Sequence, residues 1–253
     1  GASLAALRYL IMGTLGGTFL LIGIGFLYAA TGTLNMADIT ARLPQAANQR
    51  TVIAAMAFCF TGIGIKLAAF PLHQWLPEAY ARAPSAITAW MASTATKVAA
   101  YALMRFVFTI MAAGGVAAAA VTQIGVPWAV GGMLIGSAIA IYQTELKKLL
   151  AWSSVAQIGY ILLGIALASE AGLRAALLHM LNHGLIKGAL FLALGCMIYR
   201  LCKEGGEIKL SQLAGISKRM PWTTAAFVAG GLSLIGVPLT AGFISKWALL
   251  EAA

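Results

Sequence analysis

The sequence predicts an all-α membrane protein, a helical bundle of about seven transmembrane segments with two discontinuous helices. Of the 253 residues, 61% are apolar and only 9% are charged, whereas soluble domains carry roughly 25% charged residues. Long apolar stretches recur along the chain, each near the roughly 20 residues that a helix needs to cross a hydrocarbon core. Because an open sheet edge inside lipid would leave backbone groups unpaired, these stretches are expected to be helices.

Seven such stretches can be marked, and most are joined by short connections. They cover residues 9–30, 51–70, 84–105, 126–144, 149–168, 174–200 and 221–253. The two longer connections, TGTLNMADITARLPQAANQ and LCKEGGEIKLSQLAGISKRMP, are rich in turn-forming residues and are not expected to form domains. Gly13 with Gly17, and Gly132 with Gly136, have the spacing of small residues that lets membrane helices pack closely.

Two segments are predicted to be broken within the membrane. Pro71 follows Lys66 and comes directly after the second stretch, while Gly236, Pro238 and Gly242 interrupt the last one. Proline removes a backbone donor and clashes with the preceding turn, and glycine leaves the backbone loose. Broken segments at corresponding places in two halves are typical of internal repeats around an ion path. An ordinary proline kink is the alternative.

The net charge of +10 is explained by membrane topology, so no nucleic-acid partner is implied. If the segments alternate in direction, one side of the membrane receives more than twice as many basic residues as the other. The richer side holds Arg8, Arg82, Lys147, Lys148, Arg200, Lys203, Lys209, Lys218 and Arg219, and the poorer side holds Arg42, Arg50, Arg105 and Arg174. By the positive-inside rule, the first residues of the chain are cytoplasmic.

Four lysines inside the predicted segments carry the strongest functional signal. They are Lys66, Lys97, Lys187 and Lys246. A charged lysine at the bilayer centre costs about 2.5–3.5 kcal/mol, and Lys97 and Lys187 lie too far from segment ends to reach an interface. The seven carboxylates all fall in loops or near segment ends, so the lysines are expected to lie buried without anionic partners. Desolvation and repulsion between like charges disfavour a protonated lysine, which can then exchange a proton near neutral pH.

The histidines extend this pattern. His179, His183 and Lys187 stand at four-residue spacing on one stripe of a helix. Imidazole accepts a proton on one nitrogen and donates from the other, so the stripe suits a proton relay. Two packed core histidines are the alternative, and zinc is disfavoured because an HExxH motif needs glutamate where Met180 stands. His73 either caps the first break or continues the proton path.

The chain resembles the antiporter-like membrane subunits shared by respiratory complex I (NADH:quinone oxidoreductase), membrane-bound hydrogenases and Mrp-type sodium/proton antiporters. Four stretches carry the resemblance: KLAAFPLHQWLPEAYARAPSAITAWMASTATKVAAYALMRF, YQTELKKLLAWSSVAQIGYILLG, HMLNHGLIKGALFLALG and SLIGVPLTAGFISKW. The resemblance is strongest to the D-type subunit of Mrp antiporters. It implies a fourteen-helix subunit with two inverted repeats, of which this chain would be an internal piece. Residues 1–112 would end the first repeat with three segments, and residues 113–253 would form most of the second with four.

The same resemblance implies the roles of individual residues. Lys66, Lys97, His179, His183, Lys187 and Lys246 match a line of titratable residues along the membrane midplane of the family. The glutamate that pairs with the position of Lys66 belongs to a family helix that would precede this chain. Pro71 would help to break the helix so that water and backbone dipoles can reach Lys66.

The implied function is a proton-translocating subunit of a multi-subunit cation/proton antiporter in a bacterial or archaeal inner membrane. The alternatives are a proton-pumping membrane-arm subunit of complex I or a hydrogenase, a non-conducting scaffold, and a passive channel. Expected partners are other membrane subunits, protons and the lipid bilayer. Protonated lysine cannot ligate Na⁺, so any sodium path would use other residues or subunits. No cofactor motif, metal site or enzymatic active site is predicted in this chain.

Overall fold

The computed structural model describes residues 1–46, 49–111, 116–202 and 208–253, and α-helices occupy most of them. In chain order the helices are α1 (Ala2–Thr31), α2 (Met36–Arg42), α3 (Gln49–Leu67), α4 (Trp75–Arg82), α5 (Ser85–Arg105), α6 (Val116–Ile141), α7 (Leu146–Ala166), α8 (Glu170–Cys202), α9 (Ile216–Arg219), α10 (Pro221–Ile235) and α11 (Ala241–Ala252). Each of the seven predicted stretches lies on these helices, which confirms the all-helical membrane fold.

Five helices are long and apolar enough to cross a membrane within the described part of the chain. They cover Ala2–Thr31, Arg50–Leu67, Val121–Ile141, Leu146–Ala166 and Glu170–Cys202. The other two predicted segments are α5, which carries Lys97 and several hydroxyl side chains, and the pair α10 and α11. That pair is short, at 15 and 12 residues, because the last segment is broken.

The first predicted break separates α3 from α4. Helix α3 ends at Leu67, and a turn of seven residues, 68–74, leads to Trp75. The indole of Trp75 donates to the Ile65 carbonyl at 2.7 Å, and the indole of Trp128 on α6 donates to the Phe70 carbonyl. Indole N–H groups therefore bind carbonyl groups at the break, as backbone at membrane depth requires, and the Ile65 carbonyl also accepts from the Ala68 amide at 3.1 Å.

The second predicted break separates α10 from α11. Helix α10 ends at Ile235, and Gly236 follows it with a left-handed φ of 91°, a conformation that glycine adopts without a steric penalty. Thr240 caps the start of α11. Lys246 donates to the carbonyls of Leu234 and Ile235 at 3.0 Å each, so this break presents its free carbonyls to a lysine.

Close helix contacts pass through glycines, but not always through the predicted ones. A Cβ on Gly136 would lie 2.8 Å from the backbone nitrogen of Ala156, so α6 and α7 pack there as expected. Gly13 faces nothing within 4 Å, and its predicted packing role is wrong for the described residues. Helix α1 instead meets α3 through Gly16, where a Cβ would lie 3.1 Å from the Gly62 carbonyl. Gly13 and Gly16 lie on different faces of α1, and the spacing of the glycines alone did not show which of these faces meets α3.

Contacts at the helix ends agree with the predicted separation of basic residues onto two sides. The Lys147 amine donates to the carbonyl that follows α4 at 2.8 Å, and Glu145 pairs with Lys209 through backbone hydrogen bonds. These contacts place the end of α4, the start of α7 and the segment around Lys209 on the same side of the bundle. Arg42 donates to the Thr31 carbonyl at 3.1 Å, at the far end of α1. Lys203, assigned to the richer side, lies outside the described residues.

Candidate functional site

Lys97 is buried in the middle of α5, as predicted. Its amine donates to the Ala92 carbonyl, and Thr96 Oγ1 lies 3.3 Å away. Helix α8 passes beside it at Gly184, where a Cβ would lie 3.6 Å from Lys97 Cε. The lysine is therefore packed against α8, and its hydrogen-bond partners among the described residues are uncharged.

Lys187 is completely buried, with 0% of its surface exposed. Its amine donates to the Leu150 carbonyl and to Ser153 Oγ, both on α7 and both at 2.6 Å. The amine also lies 6.0 Å from the centre of the Phe191 ring. No ion pair to this lysine is found within the described ranges, so a backbone carbonyl and a hydroxyl replace a counter-ion.

His179 and His183 lie on the same face of α8 as Lys187, and both are buried. Their rings are nearly parallel, at 10°, with centres 6.2 Å apart. His179 Nδ1 lies 3.0 Å from Ser245 Oγ on α11. Neither nitrogen of His183 hydrogen-bonds to a described residue. The predicted stripe is therefore an internal row of groups that can bind and release protons.

Lys246 joins this row through an aromatic side chain. Its amine lies 4.7 Å from the centre of the Tyr160 ring, close enough for a cation–π contact. The Tyr160 ring is in turn 5.6 Å from the His179 ring. Tyr160 therefore contacts both His179 and Lys246.

Lys66 and His73 lie apart from this group, at the first break. Lys66 is exposed on the described chain, beside Gly17 of α1, so the expectation of burial is wrong for it. The reason is that, among the described helices, only α1 lies beside this side chain, and it covers one side of it. His73 is buried between the rings of Phe70 and Trp152, at 5.4 and 4.9 Å. Among the described residues no hydrogen bond or ring contact joins either one to the α8 row.

Sequence reasoning missed three polar residues that contact the titratable groups. They are Ser153, Tyr160 and Ser245, of which the first two lie on α7 and the last on α11. Each is a polar group inside an apolar helix, and Ser245 directly precedes Lys246. Their polarity could have marked them as candidate site residues. The titratable groups that they contact are distant in sequence, so only the fold shows these contacts.

The whole chain, residues 1–253, matches the family described as the NADH:quinone oxidoreductase/Mrp antiporter transmembrane family. The chain belongs to this family. It is 48% identical over 247 residues to NADH-quinone oxidoreductase subunit N of Desulforudis audaxviator, covering 97% of this chain and 48% of that protein. It is 35% identical to the subunit of the same name in Acidithiobacillus ferrooxidans, covering 99% of this chain and 51% of that protein. The chain thus spans about half the length of these curated relatives.

Solved structures with the same fold come from three kinds of membrane complex. A chain of the Mrp complex from Dietzia sp. superposes with a TM-score of 0.90 at 36% identity, over 99% of this chain and 45% of its own. A chain of an archaeal membrane-bound sulfane sulfur reductase superposes with a TM-score of 0.91 at 31% identity, over 99% of this chain and 50% of that chain. A chain of respiratory complex I from Thermus thermophilus superposes with a TM-score of 0.78 at 28% identity, over 98% of this chain and 52% of that chain. All three belong to multi-subunit assemblies.

Proposed function

We propose that this chain is the proton-conducting part of an antiporter-like membrane subunit. The observation that carries the proposal is the burial of Lys97 and Lys187 beside two buried histidines, with no carboxylate bound to either lysine in the described part of the chain. Buried charges in membrane spans are costly and usually mark ion or proton pathways. Membership of the family supports the same function.

The proposed route crosses the bundle from helix to helix. Lys97 on α5 lies against Gly184, next to His183. The parallel rings of His183 and His179 continue the row, and Tyr160 lies beside both His179 and Lys246. Lysine gives up its proton readily when buried without a counter-ion, and imidazole can accept and donate at neutral pH. No hydrogen bond joins His183 to these groups among the described residues, so the proposed transfer between them passes through intervening water.

Lys66 is proposed as a proton-holding site at the first break. The proposal is supported by its position in the last turn of α3, next to the broken backbone, and by its match to a titratable position of the family. His73 keeps both proposed roles, anchoring the break or extending the route towards Lys97. The two proposed repeats, 1–112 and 113–253, meet at a boundary that lies outside the described residues.

For the assembly, a membrane-arm subunit of a redox-driven proton pump is the first proposal. It is supported by relatives named NADH-quinone oxidoreductase subunit N, one of them at 48% identity. The sequence resemblance favoured the D-type subunit of an Mrp antiporter, and this second proposal is supported by the structural match to an Mrp complex at 36% identity. In both, other membrane subunits are partners and the first residues are cytoplasmic.

The test is coupled proton uptake by membrane vesicles that contain the complete parent complex, with Lys97→Ala compared to wild type. We expect at least about a hundredfold loss of uptake with normal assembly, because positioned proton donors and acceptors contribute about 10²–10⁴-fold. Lys218→Ala is the matched control, since Lys218 is exposed. Driving uptake either with NADH and quinone or with a sodium gradient separates the two assemblies.

Other results would contradict the proposal. Normal uptake by Lys97→Ala excludes this lysine from the route. Loss of assembly in parallel with uptake supports a structural scaffold instead. Conductance that needs no driving reaction or second ion indicates a passive channel.

A further inference from the structure

Ser245 joins the row of histidines on α8 to the second broken helix. Its side chain is completely buried, at 0% exposure. Its Oγ lies 3.0 Å from His179 Nδ1 and 3.1 Å from the Gly242 carbonyl oxygen. These two contacts compete, because a hydroxyl carries one hydrogen and both neighbours can accept it.

The competition gives two hydrogen-bond arrangements. In the first, Ser245 donates to the Gly242 carbonyl, and His179 donates its Nδ1–H to Ser245 Oγ. The Nε2 atom of His179 then carries a lone pair and can accept a proton. In the second, Ser245 donates to Nδ1, so neutral His179 carries its hydrogen on Nε2 and can donate it. The two neutral forms hold the same number of protons. They interconvert when the hydroxyl rotates and water molecules, acting as proton carriers, take the proton from one ring nitrogen and deliver one to the other.

The surroundings hold both partners of the hydroxyl in place. The Gly242 amide N–H donates to Ser233 Oγ on α10 at 3.2 Å, so the residue that carries the competing carbonyl is tied to the other half of the broken helix. His179 is packed against the Tyr160 ring. His179 Nε2 is buried and has no described hydrogen-bond partner, so this nitrogen is the one whose state the switch changes.

We propose that Ser245 is a positioning residue that sets which ring nitrogen of His179 carries the proton, and so switches His179 between proton acceptor and proton donor. The inference rests on the proposed proton-conducting function. Ser245 and Lys246 are consecutive residues of α11. The second broken helix would therefore control the tautomer of His179 and the position of Lys246 together. A shift of this half-helix would move the hydroxyl relative to His179 and change the tautomer together with the environment of Lys246.

The first measurement is the ¹⁵N spectrum of the parent complex in lipid vesicles, labelled at histidine. Subtracting the spectrum of His179→Gln isolates the His179 signals, and protonated and unprotonated ring nitrogens resonate far apart. Since one neutral hydrogen bond shifts an equilibrium by roughly fivefold, Ser245→Ala is expected to change the ratio of the two tautomers by about that factor. Thr31→Val is the matched control, because it removes a buried hydroxyl whose described hydrogen bonds lie within α1 and the turn that follows it.

The second measurement is coupled proton uptake by the same vesicles. Ser245→Ala is expected to lower uptake roughly fivefold with normal assembly, while Thr31→Val leaves it unchanged. An unchanged tautomer ratio, or unchanged uptake in Ser245→Ala while His179→Gln is inactive, overturns the inference and leaves the proposed function standing. Normal uptake in His179→Gln overturns the route through His179 and the inference with it. If Ser245→Ala does not assemble, Ser245→Cys is used with the same criteria, because a thiol is a weak donor of similar size.

Discussion

Replacing Gly62 with alanine should force α1 and α3 apart. A Cβ at this position would lie 2.6 Å from the Leu20 backbone nitrogen and 2.7 Å from the Gly16 carbonyl oxygen. Both atoms belong to the backbone, so no side-chain rotation can relieve the overlap. Because carbon atoms pack at about 3.5 Å or more, the helices would have to separate by roughly 0.9 Å, which forfeits about a quarter to a half of each dispersion contact.

The expected loss in the free energy of unfolding follows from two opposing terms. Overpacking of a tight contact costs about 1–3 kcal/mol. Alanine in place of glycine in a helix recovers about 0.5–1 kcal/mol. The middle of the two ranges then gives a destabilisation of Gly62→Ala of about 1 kcal/mol. Gly13→Ala on α1 is the matched control, because no described residue lies within 4 Å of the added Cβ. Only the gain in helix propensity then applies.

The assay is unfolding of the purified parent protein in mixed micelles, titrated with denaturing detergent and followed by circular dichroism. Gly62→Ala should unfold at lower detergent than wild type, and Gly13→Ala at an equal or higher concentration. If the two variants are equally stable, α1 and α3 do not pack through Gly62 and the reasoning is refuted.

Two further predictions use the same assay. Trp75→Phe removes the indole hydrogen bond to the Ile65 carbonyl and should lower stability by about 1 kcal/mol; an equal loss in Trp90→Phe, whose tryptophan is 66% exposed, would contradict a role for this bond. Arg174→Ala breaks the pair with Glu170, whose side chains are 77% and 79% exposed. It should change stability by less than about 0.5 kcal/mol, and a larger loss would mean that the pair is shielded from solvent.

The fold could be predicted from the sequence because its main features are local. The length and apolarity of each stretch predict a helix, and Pro71, Gly236 and Pro238 act on the backbone within one or two turns. Glycine packing was less predictable. The sequence shows several glycines on α1, but the partner helix selects Gly16 over Gly13.

The candidate site was predicted in part for the same reason. Periodicity places His179, His183 and Lys187 on one face of one helix, and the structure brings Lys97 and Lys246 to that helix. Ser153 and Ser245 reach the row from other helices, 34 and 66 positions away from their partners, and no local pattern encodes such pairings. The exposure of Lys66 also depends on which helices surround α3.

The Trp128 indole limits which halves of two family members can be joined in a chimera. Trp128 lies in the second proposed repeat, yet its N–H binds the Phe70 carbonyl in the first. The first half of the chain therefore depends on the second to bind a carbonyl group of its irregular backbone. A chimera that joined residues 1–112 to the second half of a different family member would need a matching indole on α6, so the halves are not interchangeable modules even though each contains its own broken helix.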